Sequence, residues 1–384
     1  MRYLFLTITI LSVFSAQQFA QQDTLNIDDD YNYRDCPHAS LDLAINNFGF
    51  SFGNSRDFNG IRLNFEDCDL GTINGINITF WKPVEDLRGE INGIAIGGAP
   101  AAARINGLAL GIAAVITTES LKGINIGGLA VVSQGRAYGL NFGGLAVVTQ
   151  KEMWGINLAS MALVSQGDMT GLNVAGLANV SQGNIEGVNF GGLALVSQGD
   201  LKWLNFGSLA CVAQGNIEGI NFGGAALVSQ KNITGVNVGG LALVSQDNIT
   251  GLNFGGAALV AQEDIIGVSI AGLALVAQQN IRGLSFTLGQ SYAEGDVVGL
   301  NIAGYKTEVF DFTGININAA WCEIENLTGV SIAGYNKVYG KQVGLTIGLF
   351  NVAEVLEGVQ IGLLNIAKNN PAPFKILPLF NMNL

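Results

Sequence analysis

A glycine recurs at sixteen-residue intervals through half of the chain, and that spacing limits the fold more than any other feature. The unit is clearest in Gly187 to Lys202, GVNFGGLALVSQGDLK, and in Gly219 to Thr234, GINFGGAALVSQKNIT. Its leading residue is Gly107, Gly123, Gly139, Gly155, Gly171 and Gly187, then Gly219, Gly235, Gly251, Gly267, Gly283 and Gly299, with Trp203 standing once in the series. The interval shortens to fifteen at Gly314, Gly329 and Gly344 and to fourteen at Gly358, and a looser unit begins at Gly60, Gly75 and Gly93. Self-similarity at a fixed period marks a stacked array, in which one unit cannot bury its apolar residues alone.

Within the unit several columns hardly vary. Counting the glycine as position one, position three is Asn in nine successive copies from Asn125 to Asn253. Position eight is Ala, position ten is Val from Val132 to Val276, and position twelve is Gln from Gln134 to Gln278. Large apolar residues fill positions two, four, seven and nine, as in Val188, Phe190, Leu193 and Leu195. The apolar period is two, with a phase break at Gly191 and Gly192, which excludes a helical repeat and points to two short strands meeting at a bend. Charge is confined to one place. Between Gly123 and Arg282 every charged residue, from Arg136 and Lys151 to Asp264 and Arg282, stands at position thirteen, fourteen or sixteen, beside Gly, Asn and Asp that suit tight turns.

Two all-β architectures meet these constraints. In a parallel β-solenoid each unit is one coil, and positions two and four face seven and nine across a thin core. Four such side chains contribute roughly 6–12 kcal/mol, less than the cost of ordering sixteen residues, so stacking must supply the rest. Stacked amides can hydrogen-bond along a column, which accounts for the repeated Asn and Gln. About twenty coils would make a rod roughly 90–100 Å long. This assignment expects Phe190→Asp to disrupt several coils and Glu186→Lys to be nearly silent. The alternative is an outer-membrane β-barrel, each unit being one strand and a turn. Successive barrel turns should then alternate in type, and no 32-residue alternation is present. The solenoid is therefore the expected fold.

The chain carries 18 basic and 30 acidic residues, a net charge of −12, which disfavours nucleic acid as a partner. Its start, MRYLFLTITILSVFSAQQFAQQ, has Arg2, an apolar run from Leu4 to Val13 and small residues at Ser15, Ala16 and Ala20, the pattern of a secretory signal peptide cleaved near Ala20. Of four cysteines, Cys36 and Cys68 could pair in an oxidising compartment, while Cys211 falls where other copies carry Leu or Val and reads as a small core residue.

The late units GVSIAGYNKVYGKQ (Gly329 to Gln342), GLTIGLFNVAEVLE (Gly344 to Glu357) and GVQIGLLNIAKNNP (Gly358 to Pro371), followed by APFKILPLFNMNL, resemble the exported surface-repeat proteins of diderm bacteria, the family first described from spirochaetes. The resemblance is strongest over roughly the last 55 residues. It implies a cell-surface or outer-membrane location and supplies no catalytic residues. The expected organisation is a signal peptide at 1–20, an acidic segment at 21–44, irregular β repeats at 45–106, the regular array at 107–298, shorter repeats at 299–371 and a capping strand at 372–384.

His38 lacks partners for metal or catalysis, and the acidic clusters Asp28, Asp29, Asp30 and Glu66, Asp67, Asp69 match no calcium loop and read as solvated charge. Glu308, Glu323 and Glu325, near Trp321, are the strand-borne carboxylates that could serve glycoside cleavage. The column Phe190, Phe206, Phe222 reads as a stacked core row. No catalytic, cofactor or metal residue is assigned. The expectation is a non-enzymatic surface or outer-membrane-associated scaffold, with uncharged faces as the adhesive part, surface proteins or the outer membrane as partners, and self-association open to it.

Overall fold

The computed structural model describes residues 39–46, 48–81 and 87–383. The signal peptide, Asp28 to Asp30, Cys36 and His38 lie outside the described residues; Cys68 is disulfide-bonded. The described regular elements are all β-strands. Each sixteen-residue unit contributes a long strand and a short one, as in Ile185–Gly191 and Ala194–Ser197.

The strands stack in parallel with their equivalents one coil away. Ile185–Gly191 lies between Met169–Ala175 and Leu201–Gly207, with Gly187 opposite Gly171 and Trp203. Ala194–Ser197 lies between Ala178–Ser181 and Ala210–Ala213. This is a parallel β-solenoid of about 19 coils, and the barrel alternative is excluded. Antiparallel pairing occurs where Ser40–Ile45 meets Phe48–Gly53 and where Ile376–Asn383 meets Phe350–Ala367. At the leading glycine the long strand turns a corner. Gly187 has φ +111°, and a Cβ there would lie 2.1 Å from the Gly171 carbonyl oxygen, so the column needs a residue without one.

The side-chain orientation differs from the expected one. Positions two, four and seven point outward: Val188, Phe190 and Leu193 are 46%, 40% and 45% exposed. The inward positions are three, five, nine, eleven and fifteen, represented by Asn189, Gly191, Leu195, Ser197 and Leu201, all buried. Of the four apolar columns assigned to the core only position nine belongs there, joined by Ile, Leu, Met or Ala at position fifteen, as in Ile185 and Met169. The reason is steric. A Cβ at Gly191 would meet the Ala194 carbonyl oxygen at 2.1 Å, so the two strands approach too closely beside the bend to admit Phe or Leu between them.

Asparagine occupies the interior because it is satisfied there. Each amide from Asn125 to Asn237 donates its Nδ2 hydrogen to the Oδ1 of the next coil at 2.8–2.9 Å, and Asn253 ends the run on Ser269 Oγ at 3.2 Å. A buried amide is costly when unpaired and cheap when paired, so the ladder is stable only as a continuous row. The glutamine column, expected to behave likewise, is exposed at the turn.

One acidic cluster is also corrected. Asp67 is not solvated: it is buried against the Arg62 guanidinium and accepts hydrogen bonds from Asn64 (3.1 Å), Asn77 (3.0 Å) and Thr79 (2.8 Å). Arg62 also donates to Asn54 and Asn77, so the ion pair is held in a dense polar network near the first coils.

Inverted orientation makes the two sequence columns respond differently to substitution. Asn205→Ala would leave the Asn189 donor and the Asn221 acceptor without their ladder partner, at about 1–3 kcal/mol for each orphaned group. Phe190→Asp would lose an outer ring contact, about 0.5–1.5 kcal/mol. Urea unfolding followed by circular dichroism should therefore show the larger loss for Asn205→Ala; the reverse order would contradict an inward amide row.

Candidate functional site

The most extensive feature of the surface is a set of apolar columns. Position two supplies Ile156, Leu172, Val188, Leu204 and Ile220 in consecutive coils, each more than a third exposed. Position seven adds Leu129, Leu145, Met161, Leu177, Leu193 and Leu209 at the bend between the strands. Position four contributes Phe142, Phe190, Phe254 and Phe286 among its exposed members. Phe190, Phe206 and Phe222 do form the stacked row anticipated from the sequence, with centroids 4.8 and 4.7 Å apart and planes within 6° of parallel. The row is on the outer surface, not in the core. The coil-to-coil register forces this near face-to-face stack, because in-register parallel strands place identical side chains directly above one another.

The opposite edge is polar and carries its own ladder. At position fourteen the side-chain oxygen of each Asp or Asn accepts the backbone N–H one coil later: Asn184 donates to Asp168, Asp200 to Asn184, Asn216 to Asp200, and the series runs on to Asp296. Burial raises the Asp200 carboxyl, but the Asn216 N–H and the Lys202 ammonium outweigh it and leave its pKa below the ordinary value. Serines at position eleven bind the same turns from inside, as where Ser197 Oγ donates to the Gly183 carbonyl at 2.6 Å. The recurrence of Asn or Asp at position fourteen was the sequence signal for this ladder, masked by the general expectation that such residues mark turns.

Trp203 lies where these two regions meet. It takes the leading-glycine position with φ +84° and is 73% exposed. A bulky residue in that backbone region is strained by about 1–3 kcal/mol. Trp154, one place before the leading Gly155, is also exposed, and Tyr138 stands in the equivalent place before Gly139.

Two of the three candidate catalytic carboxylates, Glu308 and Glu323, are brought together on one lysine. Lys306 Nζ bonds Glu308 at 2.8 Å and Glu323 at 2.7 Å, and this pairing raises the lysine pKa. Tyr292, Phe310, Tyr339 and Glu325 line the same shallow depression. Among the described residues no group of three His, Cys, Asp or Glu is placed to hold a metal. Cys211 and Cys322 are buried thiols whose pKa burial pushes up to about 12.

Compared with protein-family models, with curated proteins and with solved structures, the chain matches none.

Two outcomes follow from these placements. Trp203→Gly restores the residue that the corner geometry favours and should raise the unfolding midpoint; a lower midpoint would show that the indole is held by packing and not exposed under strain. Cys211 and Cys322 should resist iodoacetamide at pH 8 in the folded chain and react only on unfolding, a difference that mass spectrometry of the alkylated protein resolves.

Proposed function

We propose that this chain is an exported, non-enzymatic repeat protein of a bacterial surface or outer membrane, in which the solenoid is a stiff scaffold and its outer apolar columns are the interaction surface. The observation that carries this reading is the outward orientation of positions two, four and seven over successive coils. Monomeric proteins rarely leave a contiguous apolar patch larger than ~300–600 Å² in water, and larger ones mark contact sites. A solenoid suits such a role because its register is repeated from coil to coil, so a linear surface is held without a deep core. Export is supported by the N-terminal charge, apolar run and small residues. The Lys306 bridge between Glu308 and Glu323 favours a structural ion-pair cluster over a hydrolytic pair.

Cell fractionation tests this reading. In cells producing the full chain, the protein should lack its first ~20 residues, sediment with the envelope and be labelled by a membrane-impermeant amine reagent applied to intact cells. An unprocessed, unlabelled protein in the soluble cytoplasmic fraction would refute it.

A further inference from the structure

We propose that the apolar side of the solenoid is immersed in a single leaflet of a lipid bilayer, with the solenoid axis lying in the membrane plane and the charged edge in water. The inference rests on the reading of the outer face as the working surface and names what covers it.

The shape of the apolar surface favours a leaflet. Apolar residues cover the outside of the long strand at positions two and four, the bend at seven and the outside of the short strand at eight and ten. The uncovered surface is thus a convex ridge, apolar on both flanks and along its crest. At half a side chain per exposed residue, positions two, four and seven alone amount to on the order of 1,000 Å². A second copy offers the same convex ridge, and two flat flanks in contact would leave both crests and both far flanks in water. A fluid leaflet covers flanks and crest together.

The backbone at the crest also suits hydrocarbon. Polar groups facing hydrocarbon must be bonded internally. At the crest they are: Gly192 N–H donates to the Ala175 carbonyl (2.9 Å), and Leu193 and Ala194 N–H both donate to the Leu177 carbonyl (2.7 and 3.0 Å). The same pairs recur at Leu209 on Leu193 and at Ala225 on Leu209. An ordinary loop would leave such groups to water.

Dimensions and boundaries agree with one leaflet. Positions two to five and eight to eleven are four extended residues each, about 13 Å, against about 15 Å for half of a hydrocarbon core. At that depth the chain changes character on both flanks. Beyond the short strand stand the exposed Gln198 and its column; at the corner stands Trp203, and one place before it in their own coils stand Tyr138 and Trp154. Tyr and Trp favour the headgroup level because one end of each ring system is apolar and the other polar. Every charge between Gly123 and Arg282 lies at this boundary or past it, at position thirteen, fourteen or sixteen. The immersed stretch ends before Lys306 and Glu308, which occupy positions eight and ten of their coil. A net charge of −12 selects zwitterionic over anionic headgroups.

Flotation with phosphatidylcholine vesicles is the test. The full chain should float with them at 0.5 M salt and after carbonate washing, and added phosphatidylglycerol should weaken binding at low salt. Leu193→Asp/Leu209→Asp, which charges the crest without touching the buried positions, should reduce the floated fraction at least tenfold with an unchanged circular dichroism spectrum. Glu218→Gln, on the charged edge, should float like the parent. A folded parent chain that stays out of the vesicle fraction, or a crest variant that floats as well as the parent, overturns the inference. A parent that fails to float and sediments as a dimer, with the crest variant monomeric, assigns the face to a second copy; the surface-scaffold reading would then survive while the lipid inference would not.

Discussion

Everything in this fold depends on the identity of successive coils. A row of buried amides from Asn125 to Asn253 can be satisfied only if each coil presents the next with the same group at the same height. The in-register parallel pairing enforces that height, and the ladder in turn penalises any slip, since a displaced amide would be buried without a partner. The interior is held by direction-specific hydrogen bonds as much as by apolar packing. Leu195, Leu201 and their equivalents fill only the wider part of the coil, while Gly191 and its equivalents line the narrow part.

That interior also explains the exterior. A cross-section too thin for Phe190 or Leu193 beside the bend leaves those side chains no direction but outward. The outward columns then inherit the regularity of the ladder, and Phe190, Phe206 and Phe222 stack at the coil spacing. Polar rows at positions three and eleven lie within, and apolar rows at two, four and seven lie without. This partial inversion is what links the architecture to an apolar partner, because burial of those columns is left incomplete by folding.

Much of the architecture was legible in the spacing of glycines. The sixteen-residue interval, the phase break at Gly191 and Gly192 and the confinement of charges such as Asp200 and Lys202 to one edge led to stacked two-strand coils with a solvated turn. Orientation was not legible by the same means. A period of two marks which residues share a face but not which face is inside, and hydrophobicity alone assigned Val188 and Phe190 to the core. The repeated Asn was a better guide than the large apolar residues: a polar residue invariant among interior neighbours is paired with its own copies. Trp203 likewise looked like an interruption, and only its backbone angle and exposure reveal a bulky residue held at a corner made for glycine. The Glu308, Glu323 and Lys306 cluster required two successive coils to be superposed in register before its pairing could be seen.

The central claim is that the coil turns apolar position seven outward and apolar position nine inward. Leu193→Cys and Leu195→Cys, two residues apart, test it directly through the rate of maleimide labelling in the folded chain. The account predicts rapid modification at position 193 and strong protection at position 195, with both labelled alike after unfolding in urea. Protection of both positions, or faster modification at 195 than at 193, would contradict it.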